Sequence, residues 1–297
     1  MKLLVFLLSV FFSVSWADEF IENMIKKLDE RGDKAWWWDE RWWNDGYIEP
    51  PKNYQVEVNW VTVKNGEVEI PVMVARPREK GKFPGVLFLH GRRGLDELFQ
   101  LHAKRLAARG FIVVAPDLYT GRFIEKFPIE HDPVVEEDAN KVLDYALSRE
   151  DIEPKKVCVY GLTRGGFYSL RLLVAKNRQV RDIACWVGYY PHLQDPNRPE
   201  PMQVYRYHED IEKVTVPVMF FVGSEEQYQR LRPALMAIDY LKSHGREAYI
   251  VVYPGVGRGF DFRDGNRRRF ADDLASKDAI VRAAKFMEKN LKVKESP

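Results

Sequence analysis

Residues 157–166 read VCVYGLTRGG, and this stretch gives the strongest indication of the fold. Its first four residues are hydrophobic without polar alternation, which is typical of a strand buried on both faces. The glycines that follow allow a sharp turn and a close approach between neighbouring elements. Residues 164–176 then have the spacing of a helix. The stretch therefore predicts a strand, a tight turn and a helix in direct succession.

The same alternation of buried strand and helix continues along most of the chain. Asn65-Gly66 separates two further β runs, 54–63 and 67–75, and is the strongest short signal of a hairpin. We therefore expect an α/β fold with a mostly parallel sheet of about eight strands, an N-terminal antiparallel hairpin and helices on both faces. The predicted parallel strands are 86–89, 112–115, 157–160, 183–187, 216–222 and 249–253. The predicted helices are 96–109, 134–148, 164–176, 228–243 and 269–291.

Length and charge limit the class of protein. The chain has 297 residues and 45% hydrophobic content, which suits a globular protein with a sizeable core. Lys and Arg total 46 against 44 for Asp and Glu, giving a formal net charge of +2. No overall field favours nucleic acid, so we expect no nucleic-acid partner. Any preference for anions must be local.

The N-terminus predicts export. Lys2 precedes an apolar stretch too short to span a bilayer, and Ser15-Trp16-Ala17 resembles a signal-peptidase site. The mature chain is expected to begin near Asp18, in the periplasm or outside the cell, without a stable membrane span. Retention as an uncleaved anchor is the alternative. The expected segments are a signal peptide (1–17), a helix with a Trp-rich segment (18–53), the main domain (54–291) and a tail (292–297).

Five tryptophans are concentrated at positions 36, 37, 38, 42 and 43. Such a large aromatic surface is consistent with a cap that covers one side of the domain. It is also consistent with a platform for a ligand, a partner or a membrane interface.

The two cysteines, Cys158 and Cys185, each lie in a predicted buried strand. We expect two small core side chains. A disulfide, which an oxidising compartment permits, is the alternative.

Several segments resemble the dienelactone hydrolase family of α/β hydrolases, and the resemblance covers roughly residues 54–291. The turn at 161–165 has the spacing of the GxSxG nucleophile elbow. Residues 90–94 (HGRRG) are similar to the oxyanion loop, 115–119 (APDLY) to the family's PDLY stretch, and 223–226 (GSEE) to the triad-acid loop. Residues 253–260 (YPGVGRGF) resemble YPGAGHGF, which carries the family's histidine.

Residue by residue, the resemblance implies Thr163 for the nucleophile, Glu226 for the acid and Arg258 for the histidine. An esterase nucleophile must lose a proton to a nearby base. Arginine cannot accept it, because its guanidinium stays protonated and has no acceptor atom. The implied oxyanion or ligand-binding residues are His90, Gly91, Arg92, Arg93, Tyr119 and Arg164.

Thr163 raises a second difficulty. The nucleophile of an elbow has a strained backbone, which β-branched residues disfavour, at a cost of about 1–3 kcal/mol. Without a reaction that needs this strain, we expect a relaxed turn at Thr163.

Glu226 and Arg258 are expected to form a charged pair in place of an Asp–His pair. Its role is either structural or in ligand binding. Arg92, Arg93, Arg164 and Arg258 either converge on one pocket mouth, which would favour a carboxylate or a phosphate, or remain separate solvated charges.

His192 is the best candidate for a substitute base, because it follows a predicted strand at the sheet edge where ligands bind. A surface or hydrogen-bonded histidine is the alternative. No cluster has recognisable metal-ligand spacing, so neither a metal nor a cofactor is expected.

Two functions remain. The first is an exported protein that lacks triad catalysis and binds a small ligand that is anionic. The second is an atypical ester or lactone hydrolase, as the family resemblance implies.

Overall fold

The part of the chain that the structure describes forms a sheet of eight strands in the order β1-β2-β4-β3-β5-β6-β7-β8. A computed structural model describes residues 37–49, 53–199, 203, 205–263 and 267–292. The strands are β1 (Val56–Asn65), β2 (Val68–Pro77), β3 (Phe83–Leu89), β4 (Ile112–Pro116), β5 (Ile152–Leu162), β6 (Ile183–Tyr189), β7 (Val218–Gly223) and β8 (Ala248–Tyr253). β1 pairs antiparallel with β2, and β2 with β4, whereas β3 to β8 are parallel. The predicted fold class is confirmed.

Helices pack around this sheet. They are α1 (Glu40–Asp45), α2 (Glu97–Ala107), α3 (Val134–Ser148), α4 (Gly165–Leu170), α5 (Tyr228–Ser243) and α6 (Phe270–Leu291). A π-helical turn, Arg171–Ala175, extends α4 over the rest of its predicted range. Asp96 caps α2 by accepting a hydrogen bond from Phe99 N, because its side chain meets an otherwise unpaired amide.

The core lies on both faces of the central strands. The apolar residues of β3, β4 and β5 that the sequence marks as buried are fully shielded from solvent. This explains their continuous hydrophobicity, since polar alternation belongs to strands with one wet face. The carboxyl ends of β5, β6, β7 and β8 consequently meet at one edge of the sheet, which is where ligands bind in open α/β folds.

Cys158 and Cys185 form a disulfide, so the expectation of two unbonded core residues is wrong. Both side chains are buried as expected. The ladder between β5 and β6 shifts register at Val157 and Cys158, which places the cysteines directly opposite each other. Their Cα atoms are 4.7 Å apart, within the range that a disulfide spans.

The described tryptophans form part of a cap on the domain. Trp42 is buried, and the side chains of Trp37, Trp38 and Trp43 are half-buried. Arg105 of α2 donates from Nε and Nη2 to the carbonyl of Trp43 at 3.0 and 2.6 Å, and its guanidinium lies over both the Trp42 and Trp43 rings. Burial lowers the pKa of Arg105 to about 9. The cap interpretation fits these contacts.

The predicted signal peptide, the predicted helix after it, Trp36, Pro50, Pro51 and the tail beyond Lys292 lie outside the described residues. Within the described part of the chain, no helix is both long and apolar enough to cross a lipid bilayer.

Candidate active site at the carboxyl edge of the sheet

Thr163 directly follows β5 and has a left-handed conformation, with φ of 51°, so the expectation of a relaxed turn is wrong. Hydrogen bonds on both sides of the residue hold the strain. Thr163 N donates to Tyr189 O at 3.1 Å, while Thr163 O accepts from Gly166 N at 3.0 Å and from His192 N at 2.7 Å. These three bonds fix the backbone whether or not the turn serves a reaction.

Gly165 makes the turn compact. A Cβ at this position would lie 2.0 Å from Leu89 O, so a larger residue would push α4 away from β3. The turn therefore keeps the strand–turn–helix geometry of a nucleophile elbow.

His90 fixes the loop that faces Thr163. Its Nδ1 donates to Gly91 O at 2.7 Å, and its Nε2 accepts from Leu118 N at 3.0 Å, which defines one neutral tautomer. Burial lowers the pKa of His90, which favours this neutral form. Gly94 N also donates to Gly91 O, at 3.2 Å. The peptide between Gly91 and Arg92 is therefore held in one orientation.

Gly91 lies directly against the threonine hydroxyl. A Cβ on Gly91 would come within 1.8 Å of Thr163 Oγ1, so glycine is required here. The amides of Arg92 and Arg164 flank this contact, and neither donates to an acceptor among the described residues. Two such N–H groups, one after the nucleophile position and one in the loop after β3, constitute the oxyanion hole of an α/β hydrolase.

Glu226 and Arg258 form the predicted pair. Arg258 Nη1 donates to Glu226 Oε2 at 3.0 Å, and the Glu226 side chain is fully buried. Gln227 N donates to the other carboxylate oxygen at 2.8 Å. The Arg258 guanidinium also lies 5.2 Å from the centre of the Tyr190 ring. Its Nε and Nη2 meet no acceptor in the described part of the chain.

His192 lies beside Thr163 without bonding to its hydroxyl. The His192 backbone is joined to Thr163 O, but its Nε2 lies 3.2 Å from Gln203 Oε1. Across the described residues, no imidazole makes a hydrogen bond with Thr163 Oγ1. Burial holds the pKa of His192 well below 6.5, and the positive charges of Arg230, Arg164 and Arg258 lower it further. His192 is therefore a weak base in a positive environment.

The remaining predicted arginines bind protein acceptors. Arg164 is buried and donates to the carbonyls of Pro128, Ile129 and Glu130 at 2.7–3.0 Å. Arg92 donates to Pro128 O and Phe127 O at 2.7 and 2.6 Å. Arg92 and Arg164 thus hold the same loop.

Arg93 is directed elsewhere. It pairs with Asp96 at 2.6 Å, at the start of α2. Tyr119 is buried, packs its ring on His90 and shares a hydrogen bond with Tyr168 through the two hydroxyls, 2.8 Å apart. Tyr119 therefore supports the loop that begins at His90.

A buried polar network lies below the carboxyl edge of the sheet, and the sequence-based predictions did not include it. His102 Nδ1 donates to Asp261 Oδ2 at 2.7 Å, and His102 Nε2 lies 2.7 Å from the hydroxyl of Tyr160. Tyr190 donates to the other oxygen of Asp261. The histidine on the apolar face of α2 was the available signal, but sequence does not reveal a partner 159 positions away. This network anchors Tyr190, on which Arg258 rests.

No group of three or more His, Cys, Asp or Glu side chains in the described residues has the arrangement of a metal site.

Comparison with known proteins agrees with this geometry. The profile of the dienelactone hydrolase family matches residues 70–291. A Bradyrhizobium protein assigned as a 2-oxo-3-(5-oxofuran-2-ylidene)propanoate lactonase is 24% identical over 225 residues, which are 71% of this chain and 88% of that protein. A Yersinia pestis protein assigned as a carboxymethylenebutenolidase is 25% identical, with 71% of this chain and 82% of the relative covered.

The fold is also similar to that of a solved Klebsiella pneumoniae protein assigned as a dienelactone hydrolase. The TM-score is 0.61 at 20% identity, over 80% of this chain and 99% of the other. With its profile match across residues 70–291, the chain belongs to the dienelactone hydrolase family.

Proposed function

We propose that this protein is an exported member of the family that lacks the hydrolytic triad and binds a small anionic ligand at the carboxyl edge of the sheet. The observation that carries the proposal is the Arg258–Glu226 pair. Arg258 occupies the position expected for the family's histidine, and its Nη1 is committed to Glu226 at 3.0 Å. A guanidinium cannot take the proton of Thr163.

Ligand binding is supported by the local charge. Arg258, Arg164 and Arg230 each act electrostatically on His192, which is itself neutral. The open Nε and Nη2 donors of Arg258 match the two oxygens of a carboxylate, and the amides of Arg92 and Arg164 add further donors.

Export is supported by the N-terminal sequence and by the disulfide. The first 17 residues have the order of a signal peptide. A disulfide such as Cys158–Cys185 is typical of proteins in an oxidising compartment, where such bonds form and persist. Mass spectrometry of the protein from its native host should give a mature chain that begins at Asp18.

The main test combines turnover and binding. The purified protein should not hydrolyse p-nitrophenyl acetate or a butenolide faster than its Thr163→Ala variant does. Calorimetry should detect acetate binding, and Arg258→Lys should weaken it at least tenfold, because lysine keeps the charge opposite Glu226 but removes the second donor edge. Ester turnover that disappears in Thr163→Ala, without acetate binding, would contradict the proposal.

An atypical ester or lactone hydrolase is the second candidate, favoured by the strained φ of Thr163 and the fixed peptide after Gly91. Thr163 or a pocket water would then be the nucleophile, and His192 would be the base that takes its proton. In that case His192→Ala should lower turnover by about 10²-fold or more, the usual contribution of a general base. Unchanged turnover in this variant would exclude His192 as the base.

A further inference from the structure

The loop 123–130 exposes an unusual amount of apolar surface beside the site. It follows a short 3₁₀ turn, Thr120–Arg122, and carries the exposed side chains of Phe123 (94%), Phe127 (56%) and Ile129 (81%). Isolated exposed apolar residues are ordinary, but three within seven positions of one loop indicate a binding surface.

The surface is held in place next to Thr163. Arg92, beside Gly91, holds the loop through two hydrogen bonds with Phe127. Phe127 N donates to Arg92 O at 2.6 Å, and Arg92 Nη2 donates to Phe127 O at 2.6 Å. Arg164, beside Thr163, binds the next three carbonyls. Arg92 and Arg164, whose backbone amides flank Thr163 Oγ1, therefore also hold this loop through their side chains.

Two residues of the loop have strained backbone angles, and both have aromatic side chains that are exposed to solvent. Phe123 and Phe127 have φ of 56° and 64°, a region that bulky side chains disfavour. The arginine contacts hold Phe127 there, and Phe123 N donates to Thr120 O at 3.2 Å. A loop held in this conformation with its apolar side chains outward is consistent with a contact surface.

A further exposed aromatic residue lies at the same edge. Tyr228, two residues after Glu226 at the start of α5, is 62% exposed. The edge therefore combines the open Nε and Nη2 donors of Arg258 with apolar side chains at its rim. A ligand that matches both has an anionic end and a hydrocarbon end.

We infer that the ligand is a medium- or long-chain carboxylate, whose anionic end meets Arg258 and whose chain lies against Phe123, Phe127 and Ile129. The inference rests on the proposed anion-binding function and names its ligand class. Charge complementarity selects this occupant, since a short organic acid would leave the apolar rim uncovered. A neutral hydrocarbon would leave the open donors of Arg258 without a partner.

The test compares acetate, hexanoate and decanoate, each below its micellar concentration, by titration calorimetry on the full mature chain. A fully buried methylene strengthens binding by about fourfold, so the four extra methylenes of decanoate, even when buried only in part, should make it bind about 20-fold more tightly than hexanoate. The double variant Phe127→Ser/Ile129→Ser should remove most of that difference and leave hexanoate unchanged. Because both side chains are exposed, its thermal unfolding should match that of the wild type.

Val180→Ser is the matched control, because Val180 is 62% exposed but precedes β6 at the opposite edge of the sheet. It should bind all three acids as the wild type does. Equal affinity for the three acids, with no effect of the loop variant, would overturn this inference while the proposed anion binding stands. Failure of every acid to bind, including acetate, would instead contradict the proposed function.

A lipid surface is the competing occupant. Sedimentation with phosphatidylcholine vesicles that depends on Phe127 and Ile129, without any chain-length effect on carboxylate binding, would overturn the inference in favour of a membrane.

Discussion

The guanidinium of Arg258 meets the carboxylate of Glu226 at 3.0 Å, with the acid fully buried and the arginine about a quarter exposed. Each group compensates the burial of the other, so the pair contributes little net stability. Removing one partner is a different matter, because the remaining charge stays near a dry interior.

Arg258→Met should therefore destabilise the protein by about 2–3 kcal/mol, less than the ~3–5 kcal/mol of a fully buried pair because solvent reaches the arginine. Urea unfolding measures the change. Adding Glu226→Met should recover at least half of it, since the uncompensated carboxylate is then gone. Additive losses in the double variant would show that the two charges do not interact.

Reconstruction of the missing chemistry is the second prediction. Thr163→Ser/Arg258→His should raise p-nitrophenyl acetate hydrolysis at least tenfold over either single variant, because it supplies an unbranched nucleophile and a base while the oxyanion amides are already fixed. A fluorophosphonate probe should label Ser at position 163 in this variant. Thr163→Ala/Arg258→His is the control and should stay inactive. A double variant as inert as that control would mean that the amides of Arg92 and Arg164 cannot serve an acyl transition state.

The arginine contacts of the loop give a third prediction. Arg164→Met leaves the carbonyls of Ile129 and Glu130 without their side-chain donor and that of Pro128 with Arg92 alone, so amide hydrogen exchange across 124–130 should accelerate at least tenfold. The exposed Lys126→Met, in the same loop, should not change the rate. Protection that survives in Arg164→Met would show that Arg92 alone holds the loop.

Much of the fold was predictable because it rests on local patterns. The helices Val134–Ser148 and Tyr228–Ser243 begin and end where predicted, and the expected hairpin is closed by Gly66-Glu67, directly after Asn65 at the end of β1. The Glu226–Arg258 pair was also predictable, since both residues follow neighbouring strands of the sheet. Each of these features needs only the sequence and the topology.

The features that were mispredicted depend on geometry that no local pattern encodes. The disulfide depends on a register shift at Cys158, and sequence gives strands without their register. Thr163 keeps its strain because the backbones of Gly166, Tyr189 and His192 bond to it. Likewise, the sequence shows that Arg92 and Arg164 are cations, but it does not show that their guanidinium groups donate to the backbone of residues 127–130.

The disulfide should contribute strongly to stability. Its cysteines are separated by 27 positions, and closing such a loop in the unfolded chain corresponds to about 3–4 kcal/mol. Comparing urea unfolding of the oxidised and reduced wild type isolates the cross-link without changing side-chain volume. Cys158→Ala/Cys185→Ala should lose at least as much and should be insensitive to dithiothreitol. Equal midpoints for the two redox forms would argue against a stabilising bond.

The histidines at the site should make stability depend on pH in a defined window. Burial holds the pKa values of His192 and His90 below 6.5 in the folded protein, so below that pH the unfolded chain binds protons that the folded chain does not. The free energy of unfolding should then fall as the pH drops from 7 to 5, by up to ~1.4 kcal/mol per pH unit for each histidine. The pKa values of Asp117, Glu136 and Asp261 are lowered in the folded protein, so these groups decrease the stability further at more acidic pH.

Urea unfolding at several pH values measures the effect. The free energy of unfolding should depend less steeply on pH in His192→Gln than in the wild type. His244→Gln, at an exposed position, is the control. If the free energy of unfolding of His192→Gln depended on pH as steeply as that of the wild type, the buried imidazole of His192 would not be the source of the effect.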